Sequence, residues 1–111
     1  AVEAAARLAS ENIEATVLDL RSLRPLDWPS IAAAIETNGK VLIVHEDNKF
    51  GGFGAEIAAQ VAEKSLDWLD APVRRYCAPE VPNFPYAESL EAQVFPSVDG
   101  IIAEARALAA Y

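Results

Sequence analysis

The chain has 111 residues, room for one domain with one modest core. Apolar residues make up 52% and charged residues 23%, with a net charge of −8 and an isoelectric point near 4.5. That balance makes nucleic acid and anionic membrane poor partners and a basic protein surface a better one.

No apolar run approaches the roughly 20 residues of a membrane span, and no secretory leader is visible. A single cysteine, Cys77, offers no disulfide within the chain and fits a reducing cytosol. There is no methionine, and residue 1 already lies in a helical pattern. The chain is therefore read as a fragment or a processed product. No repeat, low-complexity tract or linker divides it, so residues 1–111 are taken as one domain.

In residues 1–11, Val2, Ala5, Ala6, Leu8 and Ala9 form one apolar stripe, with Glu3, Arg7 and Ser10 outside it. Residues 15–20 (ATVLDL) read as a short strand. Two prolines mark residues 21–29 as a connection. A short amphipathic helix follows, with Ile31, Ala32, Ala34 and Ile35 inward, and Asn38-Gly39 ends it because either residue tolerates positive φ. The run VLIV (41–44) predicts a strand buried on both faces. Residues 55–69 predict the best helix, with Ile57, Ala58, Val61, Ala62, Leu66 and Leu69 inward, stopped by Asp70-Ala71-Pro72. A third strand is expected over 73–77. Pro79, Pro82 and Pro85 make 78–88 an irregular crossing loop. The last helix starts at Ser97 as N-cap and turns Val98, Ile101, Ile102, Ala105, Leu108 and Ala109 inward. Helices alternating with short buried strands imply parallel βαβ units and a three-layer α/β/α sandwich. Three strands are few for four helices, and a strand before residue 1 would repair the count.

The stretch VHEDNKFGGFGAEIAAQ (44–60) raises a chemical question, since strand, glycine loop and helix often hold a phosphate. The dinucleotide fingerprint needs three glycines at set intervals. Gly52 and Gly54 fit the first two, but Ile57 stands where the third belongs, and no Lys-Ser/Thr pair follows to make a Walker loop. Gly51, Gly52 and Gly54 are accordingly read as loop geometry at a helix start.

The letters DLRSLRPLDW (19–28), VLIVHEDNKFGGFGAEIAAQVAE (41–63), LDAPVRRYCAPEVPNFPYA (69–87) and FPSVDGIIAEARALAAY (95–111) resemble the C-terminal domain of the transketolase-like family. The resemblance is strongest to the beta subunit of the decarboxylating component of 2-oxo acid dehydrogenase complexes, and it covers essentially the whole chain. His45-Glu46 is similar to the branched-chain enzymes, whereas the pyruvate enzymes more often have Glu-Glu; Asn83 before Phe84-Pro85 departs from both. Transketolase, deoxyxylulose phosphate synthase and acetoin dehydrogenase stand as alternatives within the superfamily.

The resemblance implies a mostly parallel sheet, mixed and five-stranded in the family, between helices, with N-terminal strands missing from this chain. It implies a parent enzyme that uses thiamine diphosphate with magnesium, and a domain that itself binds no cofactor and catalyses nothing. Implied partners are an alpha subunit, a second beta subunit, and the subunit-binding domain of the acyltransferase component. That last contact falls on the acidic residue of the Leu-acid-Ala-Pro turn, here Asp70, and on the end of the chain, here Tyr111. Two carboxylates on rigid helix ends suit an Arg or Lys. The implied location is the cytoplasm, or the mitochondrial matrix in a eukaryote.

Other groups carry less. His45 is the only histidine, expected at the carboxyl edge of a parallel strand, where α/β proteins gather ligands. It suits a hydrogen-bonded loop residue or interface contact better than an acid–base catalyst, because no nucleophile lies near it in sequence. Glu46 and Asp47 are candidates to orient it. A free-standing module using His45 and the glycine loop to hold a small anion is the alternative from another class. Cys77 reads as a small buried apolar residue. Trp28 and Trp68 are expected in the core or a subunit contact, and Phe50, Phe53, Phe84 and Tyr86 in loops point to packing on something.

Overall fold

A computed structural model describes all of residues 1–111. Five helices and two strands follow the order α1 (Val2–Ala9), α2 (Trp28–Asn38), β1 (Leu42–Asn48), α3 (Phe53–Ser65), β2 (Arg74–Ala78), α4 (Glu88–Val94) and α5 (Val98–Ala109). A 3-10 turn, Leu66–Trp68, closes α3.

β1 and β2 lie side by side in parallel, with Leu42 opposite Arg74 and His45 opposite Cys77. The register breaks between His45 and Asn48. Side chains alternate across a strand, and β1 divides accordingly. Leu42 and Val44 meet a core built from Ala4, Leu8, Ile101 and Ile102 of α1 and α5. Val41 and Ile43 meet a second core of Ile31, Ile35, Ile57 and Val61 from α2 and α3. The result is the expected three-layer α/β/α arrangement around a parallel sheet, with one small core on each face.

The helix ends follow their sequence signals. Asp27 caps α2, accepting hydrogen bonds from Ser30 N–H at 3.2 Å and Ser30 Oγ at 2.6 Å. Those bonds hold the Asp27 carboxyl below the usual range. Gly39 closes α2 at φ +66° and donates its N–H to the Ile35 carbonyl. Ser97 caps α5 through Gly100 N–H at 3.0 Å. Across the outer surface Arg106 pairs with both oxygens of Glu11 and Arg7 with Asp99, tying α1 to α5.

Several expectations are corrected. The sheet has two strands, because residues 15–20 pair with no strand, and of them only Leu20 is even half-buried. β-Branched letters favour an extended chain, yet a strand needs a partner for its backbone. Residues 41–44 are half-buried rather than enclosed, and β1 runs on to Asn48. The buried stripe of α1 is Ala4 and Leu8, while Val2, Ala6 and Ala9 face solvent. Leu66 is exposed where the chain tightens into the 3-10 turn, and Ala62, still within α3, is exposed on that helix's outer face. α4 had no sequence counterpart; no residue of it is fully buried, so it lacks an amphipathic pattern. Trp68 is 54% exposed rather than packed. Trp28 borders the α2–α3 core, with Lys64 Nζ 4.5 Å above its ring.

Candidate functional site

The two ends of a parallel sheet differ chemically, and candidates lie at both. At the carboxyl end, β1 runs through Asn48 into the glycine loop. His45 sits inside β1 rather than at its edge, because the strand continues for three more residues. Its imidazole lies against the glycines. A Cβ on Gly52 would strike the Asn48 carbonyl oxygen first and then stand 2.8 Å from His45 Cε1, and one on Gly54 would stand 2.6 Å from Cδ2 and 3.2 Å from Ile43 Cγ2. Gly51 is different: it has φ +72° and open space around it, so it turns the chain. The sequence reading gave all three glycines one role. Gly54 makes room for His45, a signal present only in the spacing between that histidine and the loop, whereas Gly52 chiefly makes room for the Asn48 backbone and so keeps its loop role.

His45 Nε2 and Asn48 Oδ1 are buried without a hydrogen-bond partner. Glu46 and Asp47 do not orient the imidazole; both are exposed, and Asp47 accepts from the Asn48 N–H at 2.7 Å. Cys77, opposite His45, is buried, and burial pushes its thiol up, partly offset by the nearby Arg75 and Lys49 cations. A raised thiol is a poor nucleophile. Beside the loop lies a shallow hollow lined by Asn48, Phe50, Glu80, Val81 and Pro82. Phe50 and Tyr86 stand almost free in solvent, whereas Phe53 packs on the α2–α3 core and Phe84 stacks on Phe95 at 5.4 Å.

At the amino end, the turn before β1 meets the turn before β2. The Asp70 N–H donates to the Gly39 carbonyl at 2.7 Å. The Asp70 side chain lies over Gly39, where an added Cβ would stand 2.8 Å from Asp70 Cγ. Next to Gly39, Lys40 Nζ donates to the Ala109 carbonyl at 2.9 Å, at the last turn of α5. Asp70 and Tyr111, far apart in sequence, thereby line one open hollow of about 470 Å³. Its other walls are apolar, chiefly Ala58, Ala62, Leu66, Leu69 and Val73. Tyr111 is 72% exposed and Asp70 is exposed. An apolar floor with a free carboxylate at its rim can take an aliphatic stem that carries a cation. Sequence reasoning named Asp70 and Tyr111 but missed Gly39 and Lys40, whose roles depend on contacts across the fold.

Thiamine diphosphate with magnesium, which the resemblance implies for a parent enzyme, does not fit the residues present here. No group of three His, Cys, Asp or Glu is placed to hold a metal ion. The concave side of the glycine loop is filled by the imidazole, and Glu46 and Asp47 beside it would repel a diphosphate.

Fold and geometry together define a three-layer parallel α/β domain with an apolar, acid-rimmed hollow at the amino ends of its strands. The chain belongs to the family described as the transketolase C-terminal domain, which it matches over residues 1–101. It is 41% identical over its whole length to the 2-oxoisovalerate dehydrogenase subunit beta of Bacillus subtilis, covering 34% of that protein. Over 92% of the chain it is 44% identical to the beta subunit of acetoin:2,6-dichlorophenolindophenol oxidoreductase of the same organism, covering 30% of it. Over 96% of the chain it is 42% identical to the mitochondrial pyruvate dehydrogenase E1 component subunit beta-2 of Oryza sativa, covering 28% of it. The chain thus spans about a third of the length of these relatives. No helix is long and apolar enough to cross a membrane.

Proposed function

We propose that this chain is the C-terminal assembly and docking domain of the beta subunit of a 2-oxo acid dehydrogenase decarboxylating component. Its parent enzyme oxidatively decarboxylates a 2-oxo acid on thiamine diphosphate and magnesium held outside this domain. It passes the acyl group to the lipoyl group of the acyltransferase core. An alpha subunit and a second beta subunit complete the assembly, in the bacterial cytoplasm or in a mitochondrial matrix. The domain's own task is to hold subunits together and to receive the basic subunit-binding domain of the acyltransferase through Asp70 and Tyr111.

The observation that carries this reading is the meeting of Asp70 and Tyr111 in one apolar hollow. A net charge of −8 favours a basic partner and speeds its approach. Trp68 and Leu66, exposed at the same end of α3, extend the apolar surface that such a partner would cover. The test is a calorimetric titration of the acyltransferase's subunit-binding domain into the assembly carrying Asp70→Lys. Affinity should fall by roughly tenfold or more while the melting temperature stays unchanged. Equal affinity in the variant and the parent protein would remove the docking role.

A further inference from the structure

We propose that the turn Gly39-Lys40 is the positioning element of the docking hollow, fixing Asp70 and the end of α5 relative to each other; this rests on the docking reading above. Neither group is held by its own element alone. Asp70 follows a 3-10 turn and is exposed, so its carboxylate has little packing to fix it. Gly39 supplies what is missing in two ways. Its carbonyl takes the Asp70 N–H at 2.7 Å, and its bare Cα leaves the space that the Asp70 carboxylate occupies. The positive φ of Gly39 turns that surface outward at the end of α2.

Lys40 does the same for the second group. Its ammonium donates at 2.9 Å to the carbonyl of Ala109, and Tyr111 N–H closes back on Leu108 at 3.2 Å. The last turn of a helix is where it frays, and a cation on its free carbonyls steadies it. Two consecutive residues thus tie both docking groups to the start of β1. The occupant they prepare for is a basic segment, with a Lys or Arg at Asp70 and an apolar side chain on Leu66 and Leu69.

This role makes a prediction whose sign opposes simple electrostatics. Removing the Lys40 cation makes the face more acidic, and by charge alone it should tighten a basic partner. If Lys40 acts by position, its loss should weaken binding instead. The full assembly would be titrated with the acyltransferase's subunit-binding domain for Lys40→Met, Lys40→Gln, Lys40→Arg, Gly39→Ala and Asp70→Lys, each at three salt concentrations. Both neutral Lys40 variants should bind about three- to tenfold more weakly, Gly39→Ala about tenfold, and Lys40→Arg within about twofold of the parent. The salt dependence should flatten for Asp70→Lys but not for Lys40→Met, which leaves the Asp70 carboxylate to meet the basic partner. Equal or tighter binding by both neutral variants, with Asp70→Lys still weakened, would overturn positioning and leave docking standing. No change in Asp70→Lys would remove both.

Discussion

At the carboxyl ends of the strands, Gly54 stands back so that the His45 imidazole can lie against the loop; at the amino ends, Gly39 stands back from the Asp70 carboxylate. The local device is the same: a missing Cβ lets a polar side chain touch backbone. The outcomes differ because one site faces inward and the other faces solvent. His45 Nε2 ends without a partner under the loop, where its ring fills space. Asp70 ends exposed beside an apolar hollow, where its charge is available to another molecule. Glycine-rich loops at strand carboxyl ends are commonly searched first for ligands. In this domain the amino ends hold the better-built surface for a partner.

The largest expected effect tests whether the loop is packing. Gly54→Ala should cost about 1–3 kcal/mol by forcing a methyl group into the imidazole. Joining it to His45→Ala should recover much of that loss, so the two changes would be strongly non-additive in a denaturant series. Additive losses would show that Gly54 is needed for its backbone and would break the parallel with Gly39. Next in size is Gly39→Ala measured for stability alone, at about 1–2 kcal/mol for a side chain held at positive φ. Adding Asp70→Ala should relieve only the overlap, so here a residual cost remains. The contrast between full and partial rescue separates a glycine kept for space from one kept for both space and φ.

The smallest effect is acid sensitivity. Side-chain hydrogen bonding from Arg106 holds the Glu11 carboxyl below its ordinary value, helped by the charges of Arg106 and Arg7. Ser30 does the same for Asp27. A folded pKa below the unfolded one gives stability that is present above the unfolded value and lost as pH falls through the folded one. Acid should therefore loosen the α1–α5 contact and the start of α2. Glu11→Gln should make the α1 amide signals less sensitive to acid in a titration followed by NMR. Both carboxylates are at the surface, so the effect is modest and weakens with salt.

Much of this was legible in the letters. Asp27-Trp-Pro and Ser97 announce helix starts, Asn38-Gly39 announces a stop, and Val41 to Val44 announces a strand, because each signal acts within four residues. The α/β class follows from their order, and the family from the resemblance of four ordered stretches of sequence. What failed was non-local. Residues 15–20 carry the composition of a strand, but pairing is decided by whichever chain lies alongside. Trp68 sits in a helical pattern that the 3-10 turn breaks, so its face could not be extrapolated. Asp70 and Tyr111 were legible only through resemblance; spacing alone does not bring residues 70 and 111 together. Gly39 and Lys40 left no signal beyond an ordinary helix stop, since their second role exists only after the fold forms.

The division of the interior into two small cores has a consequence for how the domain opens. Each core belongs to its own pair of helices, and the two share only the thin sheet between them. The run from Ile13, on one core, to Leu20, on the other, crosses without strand pairing. Amides in that run can therefore exchange with solvent without either core coming apart, whereas those bonded between β1 and β2 lie between the two cores. The sheet is the one element both cores share; the His45 side chain belongs to β1 itself and the Asp70 side chain to the turn before β2. Partial unfolding of one helical layer thus leaves the sheet as the common reference from which that layer can reassemble.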